Sequence, residues 1–384
     1  MKSYVLQVEK LVWRGRALAR LPEGKVVLLG PGAFPGEVVQ ARVEQEKKDH
    51  LLARVQKILE ASPWRRVHPC PRSGVCGGCV FGALPQRQQL EQKKQIVQDT
   101  LRRQLRQTEH IAEQLTIQPS RPAWRYRWRG QIQVKSGLPH VYGLQGSGLV
   151  YSPDCLLYSP PLGRGLLDLA SRLEDGRHTV AASPWDLQLK SGSDPGLLQL
   201  PVHDFQFCLQ VPPGSFFQAN WKLNQSLTGL ICDRLKTKQR IADLYCGAGN
   251  FALPLGLQGA KVLALDRDQR SVETGQENAL RLGLDNVRFC SMNLRKKMPS
   301  VLEKFRPEAL VVDPPRSGAG RALEKLHDLK SLQSMVWVSC DLVNTCRDLN
   351  FFLARGWGIR DIIMFDMFPQ SWHLELVLFL ERGE

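Results

Sequence analysis

Between residues 4 and 60 the chain alternates apolar and polar positions in short runs: Val5-Leu6-Gln7-Val8, Trp13 to Arg20, Lys25 to Leu29 and Glu37 to Ala41. Successive side chains of an extended chain point to opposite faces, so each run reads as a half-buried strand. Several such strands with glycine and proline turns in about 60 residues predict a small β-barrel. From Gln86 to Gln107 the spacing changes: Leu90, Ile96, Val97 and Leu101 recur near the helical period among Gln, Lys and Arg, predicting an amphipathic helix with a basic face. Residues 124 to 217 are turn-rich and strand-like. Read as a strand, Trp124-Arg125-Tyr126-Arg127-Trp128-Arg129 puts its aromatics on one face and its arginines on the other, which suits either RNA contact or a half-buried strand with a solvated arginine face. After a helix over Trp221 to Leu235, apolar strands alternate with helical segments. The candidate strands are Arg240 to Leu244, Lys261 to Leu265, Val287 to Cys290, Ala309 to Asp313, Met335 to Ser339, Ile359 to Phe365 and His373 to Leu380. This alternation predicts a doubly wound α/β sheet, whose ligands bind outside the carboxyl ends of the strands. Tyr245, Asp266, Asp313 and Cys340 fall at those ends.

A length of 384 residues exceeds one ordinary core. The shifts in pattern divide it at 1–62, 63–220 and 221–384, an α+β multidomain chain. A net charge of +15 favours a polyanionic partner, nucleic acid above all, over a merely solvated basic surface. No apolar run reaches the length that spans a bilayer, and the start lacks the apolar stretch of a signal peptide, so a cytoplasmic location without membrane contact is expected. Nothing implies an obligate protein partner. In that compartment the ten cysteines stay reduced, and ligand or nucleophile roles outrank disulfides.

Asp243-Leu244-Tyr245-Cys246-Gly247-Ala248-Gly249-Asn250 places glycines after a strand, where backbone must approach a ligand closely, and Asp266 ends the next strand, where an acid suits ribose hydroxyls. The combination is closer to S-adenosylmethionine binding than to a dinucleotide fingerprint. Asp313-Pro314-Pro315-Arg316 ends another strand, the prolines stiffening the turn. Cys70, Cys76 and Cys79 crowd one short loop and, with the isolated Cys155, make four thiols suited to a zinc ion or an iron-sulfur cluster. His68 is a conceivable substitute ligand. Cys208, Cys232, Cys246, Cys290 and Cys346 read as packing residues.

Five motifs occur in an order and spacing that resemble RNA uracil-5-methyltransferases: Gln218 within Phe216-Phe217-Gln218-Ala219-Asn220, the Asp243 to Asn250 turn, Asp313-Pro314-Pro315-Arg316, Ser339-Cys340 and His373-Leu374-Glu375. The early pattern of Gly15, Gly24, Pro35-Gly36-Glu37 and Lys47-Lys48 looks like an OB-like TRAM barrel, an RNA-binding module. The resemblance implies a TRAM barrel at the amino end, a strand-rich central domain with a metal cluster, and a Rossmann-like S-adenosylmethionine-dependent methyltransferase domain at the carboxyl end. It implies that Cys340 adds to carbon 6 of uracil and that Glu375 is the general base. It further implies that Gln218, Tyr245, Asn250, Asp266, Asn293 and Asp313 hold S-adenosylmethionine. Cys70, Cys76, Cys79 and Cys155 would then carry a 4Fe-4S cluster rather than zinc, and the substrate would be a uridine of 23S rRNA. The same reaction on tRNA is the nearest alternative, and a non-catalytic iron-sulfur RNA-binding protein is the other. Two positions depart from the family pattern: Leu342 stands where a proline is usual, and Asp266 where a glutamate is.

Overall fold

The computed structural model describes residues 2–105, 109–294 and 300–383, and the chain divides into two compact units. One comprises Met1–Thr100, His140–Ser152 and Phe368–His373; the other comprises Leu101–Pro139, Pro153–Met367 and Leu374–Glu384.

The first unit is built on strands Ser3–Gln7, Lys10–Val12, Arg16–Arg20, Val26–Leu29, Val38–Glu46 and His50–Glu60, which form one sheet in the order first, fifth, sixth, fourth, third, second. Alternation places Ala17, Ala19, Val27, Leu29, Val39 and Ala41 in its core. His50–Glu60 is absent from the sequence-predicted strands because its outer half, from Arg54, shows no clean two-residue period. Glu37 is fully buried and ion-paired with Arg65 at 2.5 Å. Its carboxylate also accepts the backbone N–H groups of Phe34 and Ser62, so the buried charge is satisfied from several directions. Helix Gln86–Gln104 matches its predicted start. It anchors the segment Phe368–His373: the fully buried Lys93 donates to the carbonyls of Phe368 (3.1 Å) and His373 (2.8 Å), and Gln89 exchanges two bonds with Gln370.

The second unit is organised by an eight-stranded sheet in the order Val287–Ser291, Lys261–Asp266, Arg240–Leu244, Ala309–Val312, Ser334–Ser339, Glu375–Arg382, Trp357–Phe365, Thr116–Gln118. The first five are mutually parallel, and Glu375–Arg382 runs antiparallel to both its neighbours. Ile241 to Leu244 and Ala309 to Val312 are buried on both faces, as near-continuous apolar strands covered by helices must be. The seven predicted strands are present within one to two residues at each end, and three-residue Thr116–Gln118 adds an edge. A second core packs strands Arg129–Lys135 and Gly176–Ala182 against helix Pro160–Ser171 through Ile132, Val134, Leu162, Leu166 and Val180.

The expected strand Trp124 to Arg129 does not form. Arg125 takes a left-handed φ of 57°, which breaks the extended run, and the strand begins at Arg129. The aromatic and arginine side chains therefore do not divide between two faces: Tyr126 is buried while Trp124, Arg127 and Trp128 are half-buried. Among the described residues no helix is long and apolar enough to cross a membrane.

Candidate active site

The site is set by strand register. Leu244 pairs with Val312 and Leu265, and Val312 with Trp337, so the carboxyl ends of four parallel strands line up along one edge. The antiparallel strand begins at that same edge: Ser339 lies opposite Leu376, and continuing the register by one residue puts Cys340 across from Glu375. Tyr245, Asp266, Asp313, Cys340 and Glu375 thus reach one rim from separate points in the sequence.

The turn after Arg240–Leu244 is bent by left-handed residues Tyr245 (φ 66°), Gly247 (54°) and Gly249 (103°). At Gly249 a Cβ would stand 2.8 Å from Leu253 and 2.9 Å from Phe289, so conformation and space both require glycine. Backbone N–H groups of Tyr245 and Cys246 donate to the Leu265 carbonyl, and Gly247 N donates to Asp266 Oδ2 at 3.0 Å. Asp266 also accepts from Asp268 N, so this shorter acid braces the turn itself. The Tyr245 hydroxyl donates to the Ala319 carbonyl, and Asn250 exchanges amide hydrogen bonds with Asn224.

Beside the turn lies a cavity open to solvent and lined by Gln218, Tyr245, Asn250 and Asp313, with apolar walls that include Phe217 and Trp221. Gln218 is buried, and its Oε1 has no hydrogen-bond partner among the described residues. Four of the six cofactor residues expected from the sequence therefore meet around one cavity. Asp266 supports it through Gly247, and Asn293 is exposed just beyond strand Val287–Ser291, outside the lining.

Cys340 and Glu375 have a distinct electrostatic setting. Burial, then the charges of Glu375 and Asp313, push the Cys340 thiol up to about 12, while the charge and hydrogen bond of Arg316 oppose them. Glu375, 2% exposed, is held well above the ordinary carboxylate range by burial and by Asp313, again with Arg316 opposing. Burial and Asp266 raise Asp313 to about 7. Asp243 beneath the turn is raised as well, by burial, Asp313 and Asp266. The rim is a nest of acids with one arginine among them, and such a site favours neutral carboxyls and a protonated thiol until a ligand changes the balance.

The chain after Cys340 starts a helix directly. Asp341 caps Leu342–Leu353 by accepting from Asn344 N at 2.9 Å, and the Thr345 hydroxyl bonds Ser339 and the Asp341 carbonyl. Leu342 occupies the first helical position, where proline's fixed φ is favourable; here the aspartate cap starts the helix and Leu342 is buried. Asn344 returns to hold the Arg316 carbonyl at 2.8 Å.

Two features escaped the sequence reading. Leu209, Val211, Trp221 and Phe251 wall the cavity, though their periodicity reads as ordinary core. Arg129 lies over the Phe216 ring at 5.3 Å, and its Nε has no partner among the described residues. Arg316, from the sequence a possible source of positive charge for the thiolate, does oppose the acids around Cys340 through its charge and hydrogen bond.

Cys70, Cys76 and Cys79 are half-buried in one loop of the first unit, and Cys155 belongs to the second. Gly78 N donates to Cys76 Sγ at 3.4 Å, and Cys70 N donates to His68 Nδ1. Among the described residues no three His, Cys, Asp or Glu side chains are gathered as a metal-binding group.

Sheet order, glycine turn and strand-end cavity define a methyltransferase fold. The solved structure of Pyrococcus abyssi tRNA (uracil-54, C5)-methyltransferase in complex with S-adenosyl-L-homocysteine superposes with a TM-score of 0.73 at 19% identity, covering 98% of this chain and all of that one. Residues 193–383 match the family model described as tRNA (Uracil-5-)-methyltransferase. The chain is 30% identical to the 23S rRNA (uracil(1939)-C(5))-methyltransferase RlmD of Xanthomonas campestris pv. campestris, over 96% of this chain and 95% of the relative. It is 29% identical to the corresponding protein of Shewanella amazonensis, over 97% and 94%. The chain belongs to the RNA uracil-5-methyltransferase family.

Proposed function

We propose that this protein transfers a methyl group from S-adenosylmethionine to carbon 5 of a uridine in RNA, with 23S rRNA as the substrate, in the cytoplasm. The observation that carries this reading is the register that sets Cys340 across from Glu375 at the rim where Asp313 and the glycine turn also end. S-adenosylmethionine supplies an electrophilic methyl group on a sulfonium. The buried, unpaired Oε1 of Gln218, the polar Asn250 and Asp313, and the walls Phe217 and Trp221 fit a nucleoside cofactor with apolar and hydrogen-bonding parts.

In the proposed mechanism, Cys340 adds as a thiolate to carbon 6 of the uracil ring and the displaced electron pair makes carbon 5 an enolate nucleophile. Arg316 favours the thiolate against the surrounding acids. Once carbon 5 bears the methyl group, Glu375 takes its proton, the double bond re-forms and Cys340 leaves as thiolate. Burial suits Glu375 to this step, because a carboxylate raised above its ordinary pKa is a stronger base once ionised. The uridine must leave its stack for carbon 6 to meet the thiol.

The six-stranded sheet of the first unit acts, in this reading, as a TRAM-like RNA grip, and salt should weaken binding. Cys70, Cys76 and Cys79, with Cys155, are the ligands proposed for a 4Fe-4S cluster; their sulfur-rich, half-buried character supports this, and iron with acid-labile sulfide in anaerobically purified protein tests it. Zinc without sulfide would replace the cluster by a structural metal. The function is tested by mapping 5-methyluridine in ribosomal and transfer RNA from cells with and without the protein. One rRNA position should depend on it, whereas dependence confined to tRNA would move the substrate and no dependence would overturn the reading.

A further inference from the structure

Strands Leu138–Tyr142 and Leu149–Tyr151 pair antiparallel, with Leu149 opposite Tyr142 and Tyr151 opposite His140. Opposed residues share a face, as do residues two apart, so these four side chains stand on one side of the hairpin. That side is turned to solvent: Tyr142 is 59% exposed, Tyr151 42% and Leu149 40%, with the His140 and Tyr151 rings 5.8 Å apart. An isolated hairpin is marginally stable in water, but this one is fastened along its length. Leu144 N donates to the Val75 carbonyl (2.8 Å), Gly77 N to the Tyr142 carbonyl (3.3 Å), and Arg72 Nε to the Tyr151 carbonyl (2.6 Å). The Gln145 amide fills the space that a Cβ on Gly30 would occupy. The exposed rings are therefore presented by a braced element.

Arg72, whose Nε holds the Tyr151 carbonyl, sets a positive charge beside this face. Along the sequence, 61–90 carries Arg65, which is paired with Glu37, together with Arg66, Arg72 and Arg87, and neither that stretch nor 138–152 contains an aspartate or glutamate. Aromatic faces beside an arginine suit stacked bases with phosphates alongside, and the chain's net charge of +15 favours the same partner. We propose that the Tyr142–Tyr151 face is a stacking platform for unpaired nucleobases of the RNA other than the reacting uridine, an inference that rests on the RNA substrate proposed above.

The test uses full-length protein carrying Tyr142→Ala, Tyr151→Ala or both, with Tyr142→Phe and Tyr151→Phe as counterparts. Fluorescence anisotropy measures binding to a labelled single-stranded oligoribonucleotide and to its duplex; calorimetry measures S-adenosylhomocysteine binding. Each alanine should weaken single-strand binding by about 5- to 150-fold, the range found for one stacked base. The phenylalanine variants should stay within about twofold, since a phenyl ring stacks as a phenol does. Duplex binding, S-adenosylhomocysteine binding and the thermal midpoint should not move. Alanine variants that bind single strands like the wild type would overturn the platform, as would equal losses on single strand and duplex. Retained RNA binding with lost association with ribosomal proteins would make the face a protein interface and also overturn it. A wild-type protein that makes no 5-methyluridine yet binds single strands through the tyrosines would remove the proposed reaction and leave the platform standing.

Discussion

Cys340 should be an unreactive thiol in the RNA-free protein, and the size of the effect follows from its surroundings. A thiol pushed up to about 12 is roughly 0.01% thiolate at pH 8, against about a quarter for an unperturbed cysteine near 8.5. The thiolate is the species that alkylates, so population alone slows the reaction about 2,000-fold. A more basic thiolate is intrinsically more nucleophilic, which restores roughly 40-fold and leaves a deficit of about 50-fold. Iodoacetamide labelling at residue 340, followed by peptide mass mapping over time, measures this directly. The rate should climb about tenfold per pH unit through the alkaline range with no plateau below about pH 10, because every point lies under the thiol pKa. Substitutions at the two neighbours should act in opposite directions. Arg316→Ala removes the opposing charge and hydrogen bond and should slow labelling; Glu375→Gln removes the like charge and should speed it, each by about threefold for one pKa unit once the change in nucleophilicity is counted. A plateau near pH 8 to 9, or slower labelling in Glu375→Gln, would refute the electrostatic account.

Glu375→Gln should accumulate the covalent RNA adduct yet release little methylated product, since Gln cannot accept the carbon 5 proton; ordinary turnover would reject the base assignment. Asp313 gives cofactor binding a pH dependence: a cationic sulfonium favours the ionised carboxylate, so S-adenosylmethionine affinity should rise as pH passes through about 7 and then level. S-adenosylhomocysteine, uncharged at sulfur, should show a shallower rise by calorimetry, and Asp313→Asn should flatten both curves. Gly249→Ala combines a left-handed φ with contacts of 2.8 and 2.9 Å and should cost about 1–3 kcal/mol in urea denaturation, together with cofactor affinity.

Much of the second unit was legible because a sheet buried on both faces writes itself as apolar runs: Ile241 to Leu244, Ala309 to Val312 and Met335 to Val338 could be little else. The pairing of Cys340 with Glu375 was legible by resemblance, but its physical cause, an antiparallel strand starting where parallel strands end, is a matter of register that periodicity does not encode. Trp124 to Arg129 misled because alternation describes a strand only if every residue stays extended, and Arg125 does not. Thr116–Gln118 is too short to show a period, and it gains its place from pairing with Trp357–Phe365. The cavity walls Leu209, Val211 and Trp221 were hidden for another reason: an apolar residue lining a cofactor cavity and one filling a core have the same sequence signature.

Covalent trapping tests the central claim most directly. RNA carrying 5-fluorouridine at the target position, incubated with the protein and S-adenosylmethionine, blocks the final proton removal and should arrest the reaction as a protein–RNA adduct that survives denaturing electrophoresis. The adduct should map to Cys340 by mass spectrometry and disappear in Cys340→Ala. An adduct of equal yield in Cys340→Ala, or methylation of ordinary RNA by that variant, would contradict the account.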